Sequence, residues 1–196
     1  VLTRELASHT PRTIKFCPIV SDPYHAVEKR YQITKQCLEV LRDAPEWPVM
    51  LLTRSKLIQR DTELIASLSK AMAGVSLPTI DEAVRKHFEP RGASIADRLD
   101  TLRCLKDAGV KTVVVAQPML PGPLEPYVDT LAEFADSVSI DILRGEVGAT
   151  NDFDDTRYSH SRDKDWQLER AMALTESLKA RGVTVWRGEL PPEGLA

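Results

Sequence analysis

The chain has 196 residues, 42% hydrophobic and 28% charged, with a formal net charge of −3. That is room for one ordinary domain and not two, in a composition typical of globular proteins. The slight acidity argues against general nucleic-acid affinity, no apolar run reaches the roughly 18 residues of a membrane helix, and no signal-peptide core opens the chain, so a cytoplasmic protein is expected.

In chain order, residues 14–20 are apolar and read as a strand, followed by Ser21-Asp22-Pro23-Tyr24 and a helix-like segment with Glu28. Residues 33–41 place Ile33, Cys37, Leu38 and Leu41 on one helical face, and Pro45 and Pro48 end that helix. Residues 49–53 form a buried strand. Arg60-Asp61 opens a second helix with Leu64, Ile65, Leu68 and Met72 at helical spacing and Gly74 at its C′ position. Residues 75–77 read as a short strand, and Asp81 as the N-cap of the next helix. Ile95, Leu99, Leu102 and Leu105 mark a helix that ends at Ala108-Gly109. Residues 110–116, the most β-branched run, form a central strand. Tyr127, Leu131, Phe134 and Ala135 give a helix, and residues 138–143 a strand. A polar loop spans 144–163. Trp166, Leu168, Ala171, Leu174 and Leu178 describe a final helix stopped at Gly182, residues 183–186 a last strand, and Pro191-Pro192 ends the ordered part. Strands separated by helices predict an α/β fold, a parallel sheet with helices packed on it, in a single domain over 1–196.

Catalytic residues of β/α barrels lie where a strand runs into the following loop. Five strand-like segments end in such turns: Ser21-Asp22-Pro23-Tyr24, Thr53-Arg54-Ser55-Lys56, Ser76-Leu77-Pro78-Thr79, Gln117-Pro118-Met119-Leu120-Pro121 and Arg144-Gly145-Glu146. One shared site face is expected. Residues 1–110 hold 17 basic against 14 acidic side chains and residues 111–196 hold 9 against 15, either ordinary surface charge or a basic half facing a phosphate-bearing ligand. Cys17, Cys37 and Cys104 match no zinc, disulfide or iron–sulfur spacing and read as buried reduced thiols.

Taken in order, these turns resemble the radical S-adenosylmethionine superfamily, in particular its spore photoproduct lyase-like branch. The matching pieces are Ser21-Asp22-Pro23-Tyr24 with Glu28, Thr34 with Leu38-Glu39-Val40-Leu41, Thr53-Arg54-Ser55-Lys56-Leu57-Ile58 with Arg60-Asp61, Val75-Ser76-Leu77 with Asp81, Glu89-Pro90-Arg91-Gly92-Ala93-Ser94 with Arg98-Leu99, Leu105-Lys106-Asp107-Ala108-Gly109-Val110, and Gln117-Pro118-Met119-Leu120-Pro121-Gly122. They cover residues 14–125. The resemblance implies a partial parallel (β/α) barrel, S-adenosylmethionine as small-molecule cofactor, a [4Fe–4S] cluster on a C-x₃-C-x₂-C loop, and 5′-deoxyadenosyl-radical lyase chemistry, with DNA-lesion repair as the nearest analogy and nucleic acid as a partner by that analogy alone. The cluster loop should precede the strand at Ile14. Thirteen residues stand there, none of them Cys. The first β/α unit and the cluster ligands are therefore expected to be absent, and the chain inactive alone: a fragment of a longer enzyme or a shortened relative. The rival readings are a non-catalytic nucleotide-binding module or remnant and an iron-free phosphate-binding β/α enzyme.

By resemblance, Ser21, Asp22 and Tyr24 lie near the methionyl end of the cofactor; the alternative for Asp22 is an Asx-type turn before Pro23. Arg54 stands where relatives often carry Lys and would pair with the methionyl carboxylate through a bidentate fork, or is a surface arginine. Ser76 would reach ribose or carboxylate, or is a small residue in a buried strand. Gln117 would read the adenine edge or the substrate, or bonds a neighbouring loop. Glu28, Glu89 and Arg91 are substrate or structural residues, salt bridges or a capping arrangement, with Arg91 suited to phosphate. Loop 144–163 is a lid or disordered; a metal on Asp154 or Asp155 with His160 is the remaining option, and fits no known motif. No metal ligand is assigned. With no unit before it, the strand at 14–20 would be an open sheet edge, which favours self-association.

Overall fold

The computed structural model describes residues 1–18, 21–145, 150–188 and 190–192. Among the described residues six strands, β1 (Ile14–Phe16), β2 (Val49–Thr53), β3 (Ala71–Ser76), β4 (Lys111–Ala116), β5 (Ser137–Ile140) and β6 (Thr184–Trp186), make one sheet in the order β1-β2-β3-β4-β5-β6. Every pairing is parallel. The helices are α1 (Leu2–Ser8), α2 (Glu28–Tyr31), α3 (Ile33–Arg42), α4 (Thr62–Ala66), α5 (Glu82–Phe88), α6 (Ile95–Asp107), α7 (Leu124–Phe134), α8 (Thr150–Phe153) and α9 (Lys164–Ala180), with 3₁₀ turns at Lys56–Asp61 and Ser159–Arg162.

A strictly sequential parallel order returns each crossover on the same side of the sheet. Strand alternation then divides the side chains. Val49, Leu51, Ala73, Val75, Val114, Val138 and Ile140 pack under the helices, while Met50, Leu52, Met72, Val113 and Trp186 form a smaller cluster on the other face. The result is an α/β open barrel. Among the described residues β1 pairs only with β2 and β6 only with β5. No helix of the described residues is long and apolar enough to cross a membrane.

Asp81 caps α5 as expected, its carboxylate accepting from the Ala83 and Val84 amides at 2.8 and 3.2 Å. Three expectations are corrected. The second helix stops at Ala66, and Met72 and Gly74 lie inside β3: the periodic apolar residues include strand positions buried on both faces, which mimic a helical stripe. The segment 144–163 holds α8 and a 3₁₀ turn, with Phe153 and Tyr158 buried against Val84 and Leu120, so its described part is packed structure. The first strand ends at Phe16; the remainder of the expected strand includes residues 19–20, which lie outside the described residues, as does Glu146.

Candidate functional site

The C-terminal ends of β1 and β2 open onto a groove of ≈ 850 Å³, walled by Ser21, Asp22, Tyr24 and His25 on one side and by Arg54, Lys56, Glu89 and Arg91 on the other. Asp22 knits it together. Its Oδ1 accepts from the Tyr24 amide (2.8 Å) and from Thr53 Oγ1 (2.5 Å), and its Oδ2 accepts from the Arg54 amide (2.8 Å). The first bond is the Asx-type turn; the other two brace the β1 loop against the end of β2. Three of a carboxylate's roughly four acceptor positions are thus taken.

Tyr24 is 1% exposed. Burial pushes its phenol well above the usual range, and the nearby Asp61 carboxylate adds to the rise. Beneath it Arg60 donates to both oxygens of Asp61 (Nε to Oδ1 2.8 Å, Nη2 to Oδ2 2.6 Å), to the Glu28 carbonyl (2.9 Å) and to Glu28 Oε1 (3.1 Å). Glu28 also accepts from the Lys35 amide at 3.3 Å. Glu28 is therefore a buried brace of α2 and α3, outside the groove.

Across the groove, Glu89 is shared by two arginines: Arg54 Nε lies 2.7 Å from its Oε1 and Arg98 Nη2 lies 2.7 Å from its Oε2. Arg98 is 1% exposed; burial lowers its pKa and Glu89 opposes that fall. Lys56 pairs with Asp97 at 2.9 Å. Arg91 is exposed and has no charged partner among the described residues. Among the described residues, and counting the buried Arg98, four cations here face the three carboxylates of Asp22, Glu89 and Asp97.

Ser76 is buried and outside the groove lining; its carbonyl accepts from Arg98 Nη1 at 2.7 Å. Gln117 stands apart. It precedes a cis peptide to Pro118, donates to Ser139 Oγ at 2.9 Å, and lines a second recess of ≈ 380 Å³ with Asp141, Arg144 and Gly188. The structure thus gathers Ser21, Asp22, Tyr24, Arg54, Glu89 and Arg91 and leaves Glu28, Ser76 and Gln117 elsewhere.

Sequence reasoning gave Arg98 no site role of its own. Its signal was there: with Ile95, Leu99, Leu102 and Leu105 it falls on the buried stripe of α6, where an arginine must find a partner. Gln167 was also missed. It accepts from the Met119 and Leu143 amides (3.1 and 3.0 Å) and donates to the Met119 and Ser161 carbonyls (2.7 and 2.6 Å), joining three loops.

The three cysteines sit on different elements. Cys17 packs against the smaller cluster of Met50, Leu52, Met72, Val113 and Trp186, Cys37 is in α3, and Cys104 in α6 lies 3.6 Å from Thr62 Oγ1. Burial, and then Glu28, raise the Cys37 thiol. No group of three or more His, Cys, Asp or Glu among the described residues is placed to hold a metal. Asp155 and Asp154 are instead turned to Arg157 (2.6 Å) and Arg162 (3.2 Å). The residues present therefore do not fit a [4Fe–4S] cluster.

No family model matches the sequence. An uncharacterized protein of Methanocaldococcus jannaschii is 29% identical over 102 residues, 52% of this chain and 39% of that protein. An uncharacterized protein of Acidianus two-tailed virus is 30% identical over 101 residues, 51% of this chain and 33% of that protein. The matches span less than half the length of these curated relatives. Spore photoproduct lyase complexed with dinucleoside spore photoproduct superposes with a TM-score of 0.64 at 15% identity, covering 94% of this chain and 64% of that one. A variant of that lyase with bound AdoMet and the same dinucleoside gives 0.62 at 14% identity, covering 96% and 64%. SuiB of Streptococcus suis bound to S-adenosylmethionine gives 0.60 at 15% identity, covering 92% and 38%. The chain accordingly has the open parallel-barrel fold of these solved structures.

Proposed function

We propose that the groove beyond β1 and β2 binds S-adenosylmethionine and that the chain works as a spore photoproduct lyase-like protein of radical type. The observation that carries this reading is positional: the groove opens at the C-terminal ends of parallel strands, where barrels place their sites, in a fold shared with structures that hold this cofactor. Arg54 offers its guanidinium to the methionyl carboxylate. Ser21 and the remaining acceptor position of Asp22 take the ammonium group, Tyr24 forms the wall, and Arg91 supplies a second cation. Ser76 acts through Arg98, and Gln117 serves a more distant part of the ligand or the substrate. A DNA lesion is the substrate class suggested by the neighbouring lyase.

Because Cys17, Cys37 and Cys104, the three cysteines of the sequence, do not converge, no radical step is assigned to the groove residues. Their part is to bind and orient the sulfonium cofactor. The same separation of thiols favours a second reading, a nucleotide-binding module without catalysis.

Equilibrium dialysis of the full chain against labelled S-adenosylmethionine tests the reading. Saturable binding that Arg54→Ala weakens is expected; absence of saturable binding overturns it. Iron–sulfur content of the protein isolated anaerobically from its own host then separates the radical protein from the module.

A further inference from the structure

The loop between α5 and α6 is held from beneath by two buried arginines. Arg85 Nη1 donates to the carbonyls of Glu89 (2.8 Å) and Gly92 (3.0 Å). Arg98 donates through Nε to the Ala93 carbonyl (3.1 Å) and through Nη1 to the Ser76 carbonyl at the end of β3 (2.7 Å). Its Nη2 is ion-paired with Glu89 Oε2 at 2.7 Å without hydrogen-bond alignment, and Glu89 Oε1 is ion-paired with Arg54 Nε at 2.7 Å. Gly92 makes the passage possible, since a Cβ there would stand 2.7 Å from Arg98 Nη2. The two terminal nitrogens of Arg54 donate no hydrogen bond among the described residues.

A guanidinium ion-paired at one edge leaves its remaining N–H groups for a second carboxylate. One carboxylate between two guanidiniums also leaves a positive charge uncompensated, so Arg54 remains attractive to an anion. We infer that Glu89 is a positioning residue: anchored by Arg98 to the end of β3, it fixes Arg54 so that the groove selects ligands bearing a carboxylate. This rests on the S-adenosylmethionine reading above and adds the specificity-setting residue behind it. Preorganisation of this kind raises affinity by removing the entropy a free arginine would lose on binding.

The test is calorimetric titration of the full chain with S-adenosylmethionine and with its decarboxylated form, which keeps the adenosine, sulfonium and amino groups. Glu89→Gln is expected to weaken the first by about tenfold and leave the second unchanged. Arg54→Lys keeps the charge at an exposed, foldable position but cannot pair with Glu89 through one edge and a ligand carboxylate through another; it is expected to lose the same preference, and the double variant to lose no more than either single one. Equal weakening of both ligands by Glu89→Gln, or full additivity in the double variant, overturns the inference while the cofactor reading stands. Wild-type protein that binds neither ligand overturns both.

Discussion

Gly74 in β3 lies directly against the Val113 carbonyl of β4: a Cβ built on Gly74 would stand 1.6 Å from that oxygen. The two residues are register partners, on the face that also holds Leu52 and Met72. Glycine within a strand marks this kind of close backbone approach. Gly74→Ala therefore has to push β3 and β4 apart at the centre of the sheet. Since backbone cannot swing aside as a flexible side chain does, the loss should reach the upper end of overpacking costs, about 3 kcal/mol, read as a lower urea midpoint with an unchanged slope.

Asp22 supplies the second prediction. Asp22→Ala removes the acceptor for two amides and one hydroxyl, and leaves Thr53 Oγ1, fully buried in β2, with one partner fewer. Leaving the buried Thr53 hydroxyl short of its charged acceptor costs about 1–3 kcal/mol, while the more exposed Arg54 amide can turn to water, so a loss of about 3 kcal/mol is expected for the variant. Asp22→Asn keeps one oxygen for Tyr24 and Thr53 and sacrifices the bond to the Arg54 amide, so it should lose less. Urea unfolding of the three proteins checks the order, and equal losses for Asn and Ala would mean that the Arg54 bond carries the whole effect.

How far the sequence disclosed this arrangement depended on the kind of interaction. The alternation of β-branched runs with 3.6-period stripes announced a parallel α/β sheet, because both signals come from burial of one face against a neighbour. The boundary at Met72 and Gly74 was misread because a strand buried on both faces has no period of its own. The turn at Ser21–Tyr24 and the arginine at 54 were legible as strand-end polar residues. The Glu89–Arg98 pair behind them was not, since nothing local joins position 89 to position 54; only the sheet order brings the ends of β2 and β3 beside one loop. Segment 144–163 looked structureless because its order comes from Phe153 and Tyr158 reaching Phe88 and Val84, contacts more than sixty residues away in the chain.

The edge of β1 makes a further test. Ile14, Lys15 and Phe16 pair with β2 alone among the described residues, leaving a row of backbone donors and acceptors unpaired. Leu2 and Leu6 of α1 pack on the same cluster as Ile14 and Phe16 and cover part of the apolar face, and Lys15 is the type of charge that blunts an edge. Self-association of the chain through this strand is expected, and Lys15→Ile should strengthen it. Light scattering across a concentration series checks this; a constant monomer mass for both proteins counts against it.

The last prediction concerns pH and the packed segment after β5. His87 Nε2 lies 2.7 Å from the Asp152 carbonyl, and the rings of His87, Phe88, Phe153 and Tyr158 meet at 4.7–5.5 Å. The turn that presents Tyr158 is closed by Asp155, whose carbonyl accepts from the Tyr158 and Ser159 amides at 2.9 Å. Its side chain accepts from Arg157 Nη2 at 2.6 Å and from the Arg157 amide at 2.9 Å. The Arg157 side chain first and its amide second hold this carboxyl at about 2, against an ordinary 3.8. A depressed carboxylate contributes stability that is present above its unfolded value and lost as pH falls through its folded value, here between 3.8 and about 2. Amide exchange at Tyr158 and Ser159 should therefore quicken across that window. Asp155→Asn, which lacks the charge at every pH, should exchange faster than wild type at neutral pH and converge with it toward pH 2. Parallel exchange profiles for the two proteins through the whole range would place the order of this turn in the aromatic contacts alone.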